Sequence, residues 1–341
     1  YFHVNGKNLQ KQYKNHLSDY QNWSQKNHAE QWVLFPENIG SDLCIDETSL
    51  TNGELYTIII NKKRKHYEGA LVAMIKGTKS EDVCQILKDI PEPLRAKVKE
   101  VTLDMSNSMD RIVRKSFSNA EIVVDRFHVQ QLISQSLQDM RIKYRWDAIQ
   151  QENDAIKQAK ANGTIYNPPR FENGDTLKQL LARSEYLLFK PSNKWTESQK
   201  IRAKILFLNY PLLFDGYKLS MEFRSIYEHS QSKEKAQEKF QQWYNKLDQK
   251  QQKIQNENEN ENEKKKEEKP KDKSSKIDYA SFITSSNSIR NQENEILNYF
   301  NNRSTNASAE GFNAMIKAFR GSFRGVKETA FFMYRVSKIY A

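Results

Sequence analysis

Residues 98–125 read VKEVTLD, then MSNSMDRIVRKSFSN, then AEIVVD. Two short β-like runs flank one amphipathic segment of helical period, and that pattern leaves few folds open. Strands joined by a helix lie parallel in one sheet, because only antiparallel neighbours can be joined by a tight turn. Each run ends on an aspartate, Asp104 and Asp125. In open α/β sheets the carboxyl ends of the strands are where ligands sit, so two carboxylates are expected at one charged edge.

The residues before this unit extend the sheet. SDLCIDETSL, GELYTIIINKK and EGALVAMIKG, within 41–77, are three β-rich runs, and Thr51-Asn52-Gly53 is a turn signal between the first two. A helix is expected at about 79–98, opened by Thr78 or Ser80 and interrupted by Pro91 and Pro93. The order β-β-β-α-β-α-β predicts an α/β fold with a mixed sheet and helices on its faces. Leu9, Tyr13, Leu17, Tyr20 and Trp23 recur at helical spacing, so residues 7–30 within a lead of 1–40 are expected to be helical up to Pro36.

From 129 to about 248 the sequence reads as helix, broken once by Asn167-Pro168-Pro169. Its tryptophans, Trp146, Trp195 and Trp243, are expected in the core. Residues 249–275, QKQQKIQNENENENEKKKEEKPKDKSS, have no apolar face and read as a solvated helix end or a spacer. Structure resumes near 278.

With 54 Lys and Arg against 43 Asp and Glu, the 341-residue chain carries a net charge of +11, which suits a polyanionic partner. Two cysteines, Cys44 and Cys84, exclude a zinc knuckle or a disulfide framework and read as buried free thiols of a reducing compartment. No run approaches the roughly 20 apolar residues of a membrane span. These features together lead us to expect a cytoplasmic protein.

The carboxylates carry the chemistry. Asp46 ends the run CID and Asp104 ends VTLD. On neighbouring strands they could converge on a divalent cation, since hard cations take oxygen ligands and keep several waters. Two ions about 3.5–4 Å apart would clamp the attacking and leaving oxygens of a phosphodiester. Turn and cap chemistry is the plainer reading of an aspartate at a strand end. Asp125 competes for the second position, or caps the long helix that follows, and His128 is a metal ligand, a general base or a local hydrogen-bonding group. A third carboxylate is Glu310, in the first turn or so of a helix capped by Thr305-Asn306. Glu310, Asn313, Lys317 and Arg320 fall within an arc of roughly 80°, opposite Phe312, Met315, Ile316 and Phe319. That face suits a glutamate at a metal with groups trailing along a phosphate backbone, or simply a solvated basic surface.

IDETSL with GELYTIIINK, GTKSEDV, VTLDMSNSM, DRFHVQ, RIKYRW and STNASAEGFNAMIKAFRGSFRG resemble bacterial insertion-sequence transposases of the ISL3 group. The likeness is dense over 33–150 and 294–341. It implies an RNase H-like core split by an all-α insertion, with 41–128 and 291–341 forming the core and 129–290 the insertion. The spacing of 206 positions from Asp104 to Glu310 requires such an insertion. It implies an Asp-Asp-Glu triad of Asp46, Asp104 and Glu310 that holds Mg²⁺ or Mn²⁺, two ions in all, with Asp125 and His128 beside it. The activity implied is cleavage at the ends of a mobile element and strand transfer into target DNA, in a bacterial cytoplasm at the nucleoid. Lys62, Lys63, Arg64, Lys65, Asn313, Lys317, Arg320 and Arg324 are the expected DNA contacts, and a homodimer or higher oligomer on DNA the expected assembly. Relatives often carry an N-terminal zinc-binding or helix-turn-helix region. This sequence has no Cys/His cluster, so end recognition is expected in a separate region, a separate polypeptide or the basic helices. A related nuclease that cuts without joining, or a non-catalytic DNA-binding protein, are the competing classes.

Overall fold

A computed structural model describes residues 5–50, 53–65, 67–264, 278–322 and 328–341, with 257–264 by backbone alone. The chain forms two compact units, one from Tyr1–Asp125 with Asn301–Ala341, the other from Arg126–Phe300.

The first unit holds a six-stranded sheet, β1 (Trp32–Leu34), β2 (Asp42–Ser49), β3 (Leu55–Asn61), β4 (Leu71–Lys76), β5 (Glu100–Leu103) and β6 (Glu121–Val124), in the order β1-β4-β3-β2-β5-β6. β2, β3 and β4 form an antiparallel meander, whereas β2-β5 and β5-β6 pair in parallel. Gly53 takes φ 78°, a conformation that favours glycine, in the turn between β2 and β3, while Thr51 and Asn52 lie outside the described residues. Almost every residue of β3 and β4 is buried, whichever way it points, so both faces of the meander are covered.

Helix α1 (Gly6–Gln12) comes first, and α2 (Ser80–Leu87) and α3 (Glu92–Arg95) separate β4 from β5. Pro91 and Pro93 do interrupt the expected long helix, because proline removes a backbone donor and clashes with the preceding turn. Lys79, rather than Thr78 or Ser80, stands at the N-cap of α2, and Ser80 is its first, buried residue. Helix α4 (Asn107–Ser116) is the predicted crossover between β5 and β6, capped by the Ser106 hydroxyl on the Met109 N–H.

Two expectations for the lead need correction. Helical periodicity predicts one helix over 7–30, but α1 stops at Gln12, a π turn follows over Tyr13–Leu17, and Ser18 caps a 3₁₀ turn at Asp19–Asn22. Tertiary packing overrides propensity here. Tyr20 and Trp23 enter an aromatic cluster, with ring centroids 5.1 Å from Phe331 and 5.4 Å from Tyr334 respectively. The lead also supplies β1, antiparallel to β4, a strand of only three residues that periodicity does not reveal.

The second unit opens with α5 (Arg126–Ala161), 36 residues long. After it come α6 (Leu177–Arg183), α7 (Glu185–Leu188), α8 (Glu197–Asn209), α9 (Pro211–His229), α10 (Lys233–Lys264), α11 (Ala280–Asn291) and α12 (Glu293–Leu297). Helix α13 (Tyr299–Asn302) spans the return to the first unit. Thr176 with Gln179 and Thr196 with Gln199 form capping boxes that start α6 and α8, satisfying backbone donors at each helix start. Gly216 of α9 lets that helix approach α5, since a Cβ there would lie 3.1 Å from the Met140 sulfur and 3.2 Å from a Leu137 methyl. Of the tryptophans, Trp243 is core, with its indole N–H on the Leu219 carbonyl at 2.8 Å, and Trp195 is half-buried and bonded to the Leu187 carbonyl. Trp146 is not core: it is 64 % exposed on α5. Of the low-complexity stretch, 249–264 continues α10 as helix and 265–275 lies outside the described residues.

Helices α14 (Ala307–Ser322) and α15 (Thr329–Tyr340) complete the first unit. Ala309, Phe312 and Ile316 of α14 and Phe331, Phe332 and Val336 of α15 share one core with Cys44, Tyr56, Ile58, Ile60 and Met74 of the sheet. Phe312 is wholly buried, edge-on to Tyr340 at 5.1 Å. Truncating such a ring removes buried area and leaves a cavity, so Phe312→Ala is expected to lower stability by about 3–5 kcal/mol. A urea melt of the full chain checks this, with a fall in midpoint as the expected result.

Candidate active site

The site follows from strand register. Asp42, Leu43 and Cys44 of β2 pair with Glu100, Val101 and Thr102 of β5, and Glu100 to Leu103 pair with Glu121 to Val124 of β6. The pairing carries on past β6, where the Asp125 N–H donates to the Leu103 carbonyl at 2.8 Å. Two residues beyond the Cys44–Thr102–Val123 row come Asp46, Asp104 and Asp125. Side chains two apart along a strand share a face. The three aspartates therefore form one row across three parallel strands, on the face that Cys44 presents to α14. Asp104 and Asp125 each offer a carboxylate oxygen within 4.8 Å of the other's. Asp46 and Asp125 are 9 % and 2 % exposed, and Asp104 is half-buried.

Helix α14 reaches this row through two asparagines. The Asn306 amide donates to Asp104 Oδ1 at 3.1 Å and to the Ile45 carbonyl at 3.5 Å. The Asn313 amide donates to Asp46 Oδ2 at 2.6 Å, while the Glu47 N–H holds Asp46 Oδ1 at 2.8 Å. Asn306 also starts the helix, its carbonyl accepting from the Ala309 and Glu310 N–H groups at 2.9 and 3.1 Å. The side-chain oxygens of both asparagines are buried with no hydrogen-bond partner. Leaving such an oxygen unsatisfied costs about 1–3 kcal/mol, which marks the spot as one built for a further donor.

Glu310 lies four residues after Asn306 and three before Asn313, on the stripe that carries both. Its side chain is exposed, and among the described residues Asp46, Asp104 and Glu310 do not bring three ligand atoms within 4.8 Å of one another. His128 follows Asp125 by three residues, in the first turn of α5, half-buried, with its ring edge-on to Phe127.

A second polar group underlies the row on the same face. Lys62 Nζ lies 3.1 Å from Glu100 Oε1 and 2.9 Å from the Thr102 hydroxyl. Burial pushes the Glu100 carboxyl up, but hydrogen bonds from Ser304 and Asn302 and the Lys62 charge outweigh it and hold the group below its ordinary value. Burial pushes the Cys44 thiol up to about 12, and Cys44 and Cys84 are both free and buried. Burial, with the Asp104 charge second, likewise raises Glu47. The segment leading into α14 is pinned stepwise to the sheet, Asn301 on Glu121 at 3.1 Å, Asn302 on Glu100 at 3.2 Å and Asn306 on Asp104. Helical periodicity carries no signal for Lys62, Glu100 or Asn306. The alternation Glu100-Val101-Thr102-Leu103-Asp104 does carry one, because it places three polar side chains on one face of a strand that both neighbours bury.

The expected phosphate contacts divide. Asn313 is only 6 % exposed and turned to Asp46 rather than outward. Lys62 is turned inward to Glu100. Lys63 is exposed and ion-paired with Asp42, and Arg64 and Lys65 are exposed. Lys317 is exposed, whereas Arg320 is half-buried with its guanidinium 4.8 Å over the Phe332 ring. Arg324 lies outside the described residues.

A carboxylate row at the edge of a mixed sheet, in a chain of net charge +11, suits a protein that works on a polyanion. A family model described as a transposase, that of the ISL3 DDE group, matches residues 43–336, and the chain belongs to this family of DNA transposases. A search of curated proteins gives no match. Among the described residues no helix is long and apolar enough to cross a membrane.

Breaking a buried ion pair on one side strands the other charge, at about 3–5 kcal/mol. Lys62→Met is therefore expected to destabilise the chain by that order at pH 7, more than Glu100→Gln does. The Glu100 carboxyl titrates lower folded than unfolded. Its contribution is thus present above the unfolded value, near 4.3, and is lost as pH falls through the folded one. Thermal melts of wild type and Glu100→Gln between pH 3 and 7 check the sign: the variant's melting temperature is expected to fall less steeply on acidification.

Proposed function

We propose that this transposase cleaves and joins DNA by metal-dependent phosphoryl transfer at Asp46, Asp104 and Glu310. The observation that carries the reading is the placement of Glu310 between two asparagines whose amides hold the other two acids. A stripe anchored at both ends to Asp104 and Asp46 directs Glu310 toward the same edge. The strand order also supports an RNase H-like core, because the first strand of the meander lies central and its parallel neighbour ends on the second acid.

The donor set fits Mg²⁺ or Mn²⁺: carboxylate oxygens, and buried amide oxygens able to accept from metal-bound water. Asp46, Asp104 and Glu310 would hold the ions, two in number. Bound there, divalent cations supply charge neutralisation at the attacking and leaving oxygens of a phosphodiester. The chain's own part is to position the DNA and form no covalent bond to it. Water attacks the phosphorus at the element end, the P–O3′ bond breaks, and the 3′-oxygen leaves as a hydroxyl. That hydroxyl attacks a phosphodiester of the target, whose own 3′-oxygen departs, so the number of phosphodiester bonds is conserved. Asp125 is the alternative second acid, and His128 follows it by three residues in the sequence. Exposed Lys63, Arg64, Lys65 and Lys317, with Arg320, track the phosphate backbone. A dimer or higher oligomer synapses two ends in the bacterial cytoplasm, and end recognition resides in a separate region, a separate polypeptide or the basic helices.

Plasmid nicking in Mg²⁺ or Mn²⁺ by purified full chain tests the assignment. Asp46→Ala, Asp104→Ala and Glu310→Ala are expected to fall to background, with Asp125→Ala retaining activity. A folded Asp125→Ala that is inactive beside an active Asp104→Ala would show that the second acid is Asp125. Joined products, absent with a nuclease, separate the two classes of enzyme.

A further inference from the structure

We propose that Asn306 and Asn313 are the positioning residues of this site. Their amide N–H groups orient the Asp104 and Asp46 carboxylates, and their carbonyl oxygens accept hydrogen bonds from the water shell of a divalent cation held by those carboxylates. The inference rests on the metal-centre reading above and assigns it two residues that the Asp-Asp-Glu pattern does not contain.

Three observations carry it. The donor atoms are placed: Asn306 Nδ2 stands 3.1 Å from Asp104 Oδ1, and Asn313 Nδ2 stands 2.6 Å from Asp46 Oδ2. The opposite end of each amide is an acceptor, and both oxygens are buried without a partner although the residues are 0 % and 6 % exposed. Rotating either amide to satisfy that oxygen would set it against a carboxylate, so the unpartnered oxygen follows from the bond to the acid. The residues are also seven apart on one helix, two turns that place both on the stripe of Glu310. One rigid element thus fixes two acids from neighbouring strands and carries the third on the same stripe.

Chemistry selects the ligand. An amide oxygen beside an acid-held site accepts hydrogen bonds. The waters kept by a small divalent cation are strong donors, because the ion polarises them. Partners of this kind orient ligating carboxylates and typically alter metal affinity 10–100-fold when removed. Leucine has the same side-chain branching as asparagine and removes donor and acceptor together. Asn313→Leu therefore reports the amide's role with the packing largely kept.

The experiment is calorimetric titration of Mn²⁺ into the full chain, wild type against Asn313→Leu, Asn306→Leu, Asp46→Asn and Asp104→Asn. Melting temperatures are taken without metal and at saturating Mn²⁺. The expected result is a Kd for Mn²⁺ raised about 10-fold or more in each asparagine variant, with a smaller Mn²⁺-induced rise in melting temperature. A folded Asn313→Leu and Asn306→Leu that bind Mn²⁺ as wild type does, while Asp46→Asn and Asp104→Asn lose it, overturn the inference alone and leave the metal centre standing. Wild-type protein that binds no Mn²⁺, or aspartate variants that bind it unchanged, overturn the metal-centre reading and this inference with it. If Asn313→Leu does not fold, Asn313→Ser carries the same comparison with the same two outcomes.

Discussion

β2, β5 and β6 run parallel and in step, and that register decides what the rest of the first unit can do. A slip of one residue in either pairing would turn a whole strand's side chains to the opposite face and scatter the aspartates between the two sides of the sheet. In register, Asp46, Asp104 and Asp125 form one row where β5 and β6 end, with polar Glu100 and Thr102 behind it. The crossover helix α4 enforces the parallel arrangement, and the pinned segment 301–306 brings α14 to the same face.

Crowding this many carboxylates on a buried face is unfavourable unless each charge is answered. The structure answers them locally and unequally. Glu100 receives a lysine, and Asp46 receives two N–H donors, from Glu47 and Asn313. Asp104 receives the Asn306 amide and keeps a half-exposed flank. Neutral donors orient a carboxylate without cancelling its charge, and the chain as a whole is positive. An acid edge within a basic protein suits a site that gathers cations and then a polyanion.

Much of this frame is legible in the sequence, because short apolar runs and one helical crossover admit few arrangements. The order of strands and helices from 41 to 125, both strand-end aspartates and the buried cysteines follow from pattern alone. What pattern misses is decided by tertiary contact. Tyr20 and Trp23 keep helical spacing yet leave the helix to meet Phe331 and Tyr334. Asn313 sits at the border of the apolar face of α14, where a helical wheel cannot tell an outward amide from one that reaches Asp46, which lies within β2 rather than ending its strand as the run CID suggests. Lys62 reads as one member of a basic run, but it follows β3 directly and β5 offers it a buried glutamate. Trp146 reads as core by residue type alone, and the helix leaves it outside.

Anomalous diffraction from crystals grown in Mn²⁺ tests the central claim most directly. The account predicts density in contact with the Asp46 and Asp104 carboxylates, with the Glu310 carboxylate drawn in from α14. Density held by Asp104 and Asp125 without Asp46 and Glu310, or an acid row with no density at saturating Mn²⁺, would contradict it.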